Sequence, residues 1–233
     1  MSRPTDPLAG SAWSAPGTVA GFAQSAPNAV LMTFAEDELR RGGHVRALDI
    51  GCGAGRNAVP LARLGWQVTA LDLSWPMLGA AAQRVRDDQL GDRLRLILAP
   101  MDALPVRDRS CDLVIAHGIW NLASSAAVFR RAVREAARVA RPGAALFVFT
   151  FSRHTLPPDA EPVPGEPFVF TQFSGQPQCF LTEEQLISEL GLAGFVREPS
   201  VPLREYNLPQ PGSLPTGAPV IYEGVFRFDA STA

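Results

Sequence analysis

The sequence predicts an α/β fold in which strands and helices alternate around a doubly wound parallel sheet, and three observations predict it. Short apolar runs at 45–50, 67–72, 94–98, 111–116 and 145–151 recur between segments of helical period. The first run ends in an acid, Asp49, and passes into three alternating glycines, Gly51, Gly53 and Gly55, before a helix opens at Arg56. The second run also ends in an acid, Asp72. A strand that ends in a glycine turn and feeds a helix is how an α/β sheet builds a nucleotide site, because glycine bends sharply and puts no Cβ against a ligand.

The elements follow in order. Residues 1–27 are rich in Pro, Gly, Ser and Ala; 1–10 read as a loose tail, while Trp13 and Phe22 are aromatics placed to cap a cleft in part. Residues 28–233 read as one domain. Asn28 is a suitable N-cap for a helix reaching residue 41, with an apolar stripe of Val30, Leu31, Phe34 and Leu39. A helix over 57–64 closes at Gly65, and Ser74 with Pro76 opens another that runs to residue 86. After the third strand comes a turn through Met101-Asp102-Ala103, then the fourth strand and an arginine-rich helix over 124–140. Arg141-Pro142-Gly143 reads as a turn into the fifth strand.

Residues 152–181 break this rhythm with prolines, glycines and the alternating run Phe168-Val169-Phe170-Thr171-Gln172-Phe173. They are expected to form an insertion, a short hairpin serving as a lid or a dimer contact. Thr182 and Gln185 have the form of a capping box for a helix ending near Gly191. Two closing strands, 195–201 and 220–228, flank a proline-rich loop around Tyr206. His44 precedes the first strand, at the wrong end of the sheet, and is assigned no role.

Composition narrows the partners. The net charge is −2 and the pI about 5.9, so no nucleic acid or anionic membrane is expected to bind. All 21 basic residues are arginine, which removes lysine-based catalysis. Three cysteines without a Cys-x-x-Cys spacing argue against a disulfide framework, a zinc site or a thiolate cluster, and no metal is expected. The N-terminal region has no continuous apolar core of a signal peptide, and no stretch reaches the length of a membrane span, so a soluble cytoplasmic protein is expected.

The glycine spacing then selects among nucleotide ligands. A dinucleotide turn needs Gly-x-Gly-x-x-Gly, and Arg56 occupies the position of its third glycine. No Gly-Lys-Ser/Thr follows, which excludes a phosphate-binding P-loop. Leu48-Asp49-Ile50-Gly51-Cys52-Gly53-Ala54-Gly55-Arg56 resembles the first motif of the class I S-adenosylmethionine-dependent methyltransferases. The resemblance extends over roughly 28–151, with Ala144 standing where the family's Arg-Pro-Gly-Gly turn has its second glycine.

This resemblance implies a Rossmann-like, mostly parallel seven-stranded sheet with helices on both faces and an antiparallel last strand. It implies S-adenosyl-L-methionine as cofactor and S-adenosyl-L-homocysteine as product. The implied cofactor residues are Asp49 for the aminoacyl end and Gly51, Cys52 and Gly53 in the turn. Asp72 and Leu73 belong to the ribose, and Met101, Asp102 and Ala103 to the adenine. Among family members the texture is similar to the small-molecule branch, and the Asn/Asp-Pro-Pro-Tyr of amino-nitrogen methylation is absent after the fourth strand, where Ala116-His117-Gly118-Ile119-Trp120 stands.

Candidates for the acceptor side follow from position. His117, at the carboxyl end of the fourth strand, is either a general base or a pocket-lining residue. Trp120 is a pocket wall or a core residue, and Trp13, Arg153, His154 and Tyr206 lie in segments where family members build the acceptor pocket. Two alternatives stay open: a non-catalytic S-adenosylmethionine-binding regulatory protein, and a protein or RNA methyltransferase. A monomer or homodimer fits equally.

Overall fold

A computed structural model describes residues 5–42, 45–208 and 218–231. His44 and most of the loop beyond Tyr206 lie outside the described residues. A 3-10 turn at Ala12–Ser14 is followed by α1 (Pro16–Gln24), α2 (Ala29–Arg40), β1 (Arg46–Ile50), α3 (Ala58–Leu64), β2 (Gln67–Asp72), α4 (Trp75–Asp87) and β3 (Leu94–Leu98). Then come β4 (Cys111–His117), α5 (Ala126–Val139), β5 (Ala140–Phe151), β6 (Val169–Phe170), β7 (Gln178–Cys179), α6 (Glu183–Gly191), β8 (Phe195–Arg197), β9 (Arg204–Tyr206) and β10 (Ile221–Phe228).

Side-chain caps set the helix starts. Asn28, Ser74, Ser125 and Thr182 each accept a bond from the amide three residues on, and Thr182 with Gln185 completes a reciprocal capping box. The main sheet runs β3-β2-β1-β4-β5-β10-β8, with the short β9 added beside the start of β10 as an eighth strand. The five strands β1 to β5 pair in parallel, and β10 is antiparallel to β5. The fold is therefore the doubly wound α/β sheet with an antiparallel last strand, one strand larger than expected.

Each face of the sheet has its own core. On one, α2, α3 and α4 cover Leu113, Ile115 and Phe147 with residues such as Phe34 and Leu61. On the other, Phe129 and Val133 of α5 and Leu186 of α6 cover Leu48, Val114 and Leu146. Period-two alternation along β4 and β5 divides the side chains between these two cores.

Three local expectations change. The Arg141-Pro142-Gly143 segment is a bulge within β5: Cys111 pairs with Ala140 and Leu113 with Ala145, so 141–144 loop out of register, with Gly143 at φ 78°. The insertion's hairpin pairs Val169 with Cys179 and Phe170 with Gln178, so Thr171 to Phe173 form its turn and not a strand. Finally, residues 5–10 are tied down. The Asp6 carboxylate accepts bonds from the Leu8 amide, the Ser14 hydroxyl and the Trp75 amide at the start of α4.

Candidate functional site

The carboxyl ends of β1, β2 and β4 meet at the glycine turn. Gly51 lies at φ 70°, and a Cβ there would stand 2.7 Å from the Ile119 side chain, so only glycine fits. Gly55, at φ 77°, lets α3 and α4 approach: an added Cβ would lie 3.0 Å from Val59 and 3.3 Å from Ala81. That is the close-packing role a third glycine has in dinucleotide turns, filled here one residue earlier. Cys52 is buried, and its amide donates to the Leu71 carbonyl.

Two carboxylates flank this turn. Asp72 accepts bonds from the amides of Gly53 (2.9 Å) and Ser74 (2.8 Å), while burial still raises its pKa. Asp49 is 1% exposed, and burial, seconded by the Asp72 charge, pushes its pKa up to about 7. One Asp49 oxygen, Oδ2, is buried without a partner, and so is Nε of Arg56. An acid and a guanidinium each keep a polar atom unsatisfied beside the same turn. Buried orphans of this kind are costly unless a ligand meets them.

A second layer lies across β4, β5 and β10. His117 pairs with Phe149, which pairs with Glu223, so these three side chains share one face of the sheet. The His117 ring stacks on Phe149 with centroids 4.2 Å apart. Its Nε2 lies 3.4 Å from both Arg56 Nη2 and Asn28 Nδ2. Burial first, and the Arg56 charge second, lower the His117 pKa to about 4, so the ring is neutral at pH 7. Asn28 also donates from Nδ2 to Glu223 Oε2 at 2.5 Å, and Glu223 is only 7% exposed. A weakly basic ring whose lone pair faces two donors is a poor general base, which favours the pocket-lining reading of His117.

Other sequence candidates fall in different places. Leu73 follows Asp72 as half-buried backbone, Met101 is half-buried against the α5-side core, and Ala103 is exposed. Asp102 spends one oxygen on Arg131 of α5, at 2.8 Å. Trp13 sits in the 3-10 turn with its ring edge-on to Phe22 and its carbonyl near the Ser74 hydroxyl. Phe22 in turn approaches Gly53, so the N-terminal segment lies against the glycine turn. Tyr206 is exposed on β9, opposite Ile221, in the row next to Glu223.

Three candidates have other employment. Trp120 has no exposed surface and meets Phe129 edge-on in the core. The Arg153 guanidinium donates to the carbonyls of Leu156, Pro157, Pro158 and Ala160 and covers the Phe170 ring, which makes it the clamp of the insertion. His154 pairs with Glu205 at 2.8 Å, and that carboxylate also receives the Ser152 hydroxyl. Conversely, Asn28, Arg56 and Glu223 are brought together around His117 and were not read from the sequence as site residues. Glu223 had a signal: a lone acid inside the apolar run Ile221-Tyr222-Glu223-Gly224-Val225-Phe226.

Among the described residues no group of three or more His, Cys, Asp or Glu could hold a metal ion, and the three cysteines are buried and free. No helix there is long and apolar enough to cross a membrane.

Comparison with known proteins meets this geometry. Residues 48–148 match a family model described as a methyltransferase domain. A demethylmenaquinone methyltransferase of Lactiplantibacillus plantarum is 36% identical over 129 residues, which cover 54% of this chain and 52% of that protein. The methyltransferase GfsG of Streptomyces halstedii is 39% identical over 109 residues, covering 46% of this chain and 37% of that one. The chain thus spans about half the length of the first of these curated relatives, and less of the second. Among solved structures, the [4+2]-cyclase SpnF superposes with a TM-score of 0.60 at 26% identity, covering 79% of this chain and 64% of that one. Glycine turn, strand order and comparisons agree: residues 48–148 are similar to a methyltransferase domain, and the fold is shared with that solved structure.

Proposed function

We propose that this protein binds S-adenosyl-L-methionine at the glycine turn and transfers its methyl group to a small-molecule acceptor held between the polar layer and the insertion. The observation that carries the reading is the pair of orphaned buried atoms, Asp49 Oδ2 and Arg56 Nε, beside a turn already tied to Asp72. The aminoacyl end of the cofactor is a zwitterion. Its ammonium suits Asp49 and its carboxylate suits Arg56, while Asp72 suits the ribose hydroxyls. Met101 and Ala103 suit the adenine faces, and Asp102 keeps its second carboxylate oxygen for the adenine amino group.

When bound, the cofactor supplies an electrophilic methyl on sulfonium. What the chain does is align, exclude water and accept a proton where the acceptor carries one. The His117–Phe149 stack gives a flat wall, and the half-buried Phe151 with the exposed Phe173 set edge-on to it extend it with apolar surface. An acceptor with a planar or apolar body fits this surface, and one relative is named as a demethylmenaquinone methyltransferase. Glu223 is the carboxylate of this layer that can take a proton.

A second reading has an observation behind it. SpnF is described as a [4+2]-cyclase, a ring-forming activity, so this fold by itself does not dictate transfer. Under that reading the protein binds the cofactor without spending it, as a regulatory protein would. Isothermal calorimetry with S-adenosylhomocysteine tests the binding half of the proposal. Mass-spectrometric turnover of S-adenosylmethionine with a panel of quinols, phenols and amines tests the transfer half, and cofactor binding with no product across that panel would favour the second reading.

A further inference from the structure

The opposite, amino-terminal end of the sheet holds a cleft that the proposed function does not use. Its volume is about 480 Å³, within the range of small-ligand sites. Residues 99–110 between β3 and β4 form turns and loop where a doubly wound fold would otherwise place a helix. The near ends of β1, β2 and β3 are therefore not roofed on the α5 side, and no helical residue lines the cleft.

What the sequence places there is charge. Leu48, Leu71 and Ile97 pack into the α5-side core, so by alternation Arg46, Gln67, Thr69 and Arg95 point to the same face. Arg46 is opposite Gln67, and Thr69 is opposite Arg95, which gives a polar floor between two guanidiniums on strands about 10 Å apart. Arg93 and Arg107 complete the lining, and Asp92 is its one acid. Among the described residues no ion pair or side-chain hydrogen bond engages any of these four guanidiniums, whereas Arg63, Arg130, Arg138 and Arg227 are all paired. In a chain of net charge −2 this concentration of unpaired positive charge is local.

We infer that this cleft is a binding site for a small multivalent phosphate, a di- or triphosphate group, read by Arg46, Arg93, Arg95 and Arg107. Guanidiniums fork onto phosphate oxygens, and several on one floor match a chain of phosphates better than a single anion. The cleft's volume suits a compact ligand, and the net negative charge of the chain disfavours a long polyanion.

The test is calorimetry at low salt with inorganic tripolyphosphate, on the full chain with saturating S-adenosylhomocysteine present. ATP serves as the second titrant. The inference expects one site per chain, weakened by salt and weakened about tenfold or more in the double variant Arg95→Gln/Arg107→Gln. The variant is expected to keep the wild-type circular dichroism and melting temperature, since both side chains are exposed. Equal affinity for the two titrants means that the phosphates alone are read, and tighter ATP binding means that the nucleoside is read as well. Either result supports the site. No tripolyphosphate binding at millimolar concentration, or equal binding by a folded double variant, overturns it.

Discussion

Asn28 Nδ2 lies 2.5 Å from Glu223 Oε2, joining the first residue before α2 to the middle of the last strand across 195 positions of sequence. The same side chain caps α2 through its oxygen, which accepts from the Leu31 amide at 2.9 Å. One amide thus serves both local and long-range structure. Replacing Asn28 by Ala removes the cap and leaves a buried carboxylate without its donor, for a combined loss of about 2–4 kcal/mol. Asn28→Asp keeps the cap and sets two carboxylates against each other. Their shared proton is held more tightly in the folded state, so this variant loses stability as pH rises. Thermal melts from pH 5 to pH 8 check both.

Asp49 and His117 make opposite contributions to pH dependence. The Asp49 pKa is raised from 3.8 to about 7, so the folded state holds a proton the unfolded state has released, and stability from this group falls as pH rises from 4 to 7. The His117 pKa is lowered from 6.5 to about 4, so the unfolded state takes the proton first, and stability from this group falls as pH drops through that window. The two slopes oppose each other in the wild type. Asp49→Asn is expected to unmask a steep loss toward acid, and His117→Phe a steep loss toward pH 7, in denaturant titrations at pH 4.5, 5.5 and 6.5.

Gly51→Ala places a methyl 2.7 Å from Ile119 and requires φ 70° of a residue with a Cβ. The backbone part costs about 1–2 kcal/mol and the clash adds to it. Ile119→Ala in the same chain relieves only the clash, so the double variant is expected to recover part of the lost melting temperature.

Much of this fold was legible because its signals are local. Strands β1 to β5 show as apolar runs, and Asn28, Ser74 and Thr182 announce their helices within four residues. The polar layer was not legible in the same way. His117 was visible at a strand end, but its neighbours depend on the antiparallel register of β10 against β5, which sets Glu223 beside Phe149. No local pattern encodes that register. Arg56 was visible only as the residue that spoils a dinucleotide fingerprint, and Asn28 only as a cap. Arg153 misled for the converse reason: an arginine after a strand at the site end looks free until the carbonyls it holds are known.

Arg56→Met separates the ends of the cofactor. S-adenosylhomocysteine is expected to bind at least about tenfold more weakly, the loss of one charge-assisted contact. 5′-Methylthioadenosine, which lacks the aminoacyl group, is expected to bind wild type and variant alike. Competition calorimetry measures both ligands on one preparation.

The most direct test of the account is the affinity of S-adenosylhomocysteine for the wild type and for Asp72→Ala, measured by calorimetry at pH 7.5. Asp72 holds the glycine turn through Gly53 and faces the place proposed for the ribose. The account predicts one site per chain in the wild type and a loss of about tenfold to a hundredfold in a variant that still melts cooperatively. A wild type that does not bind, or a folded variant that binds equally well, would contradict it.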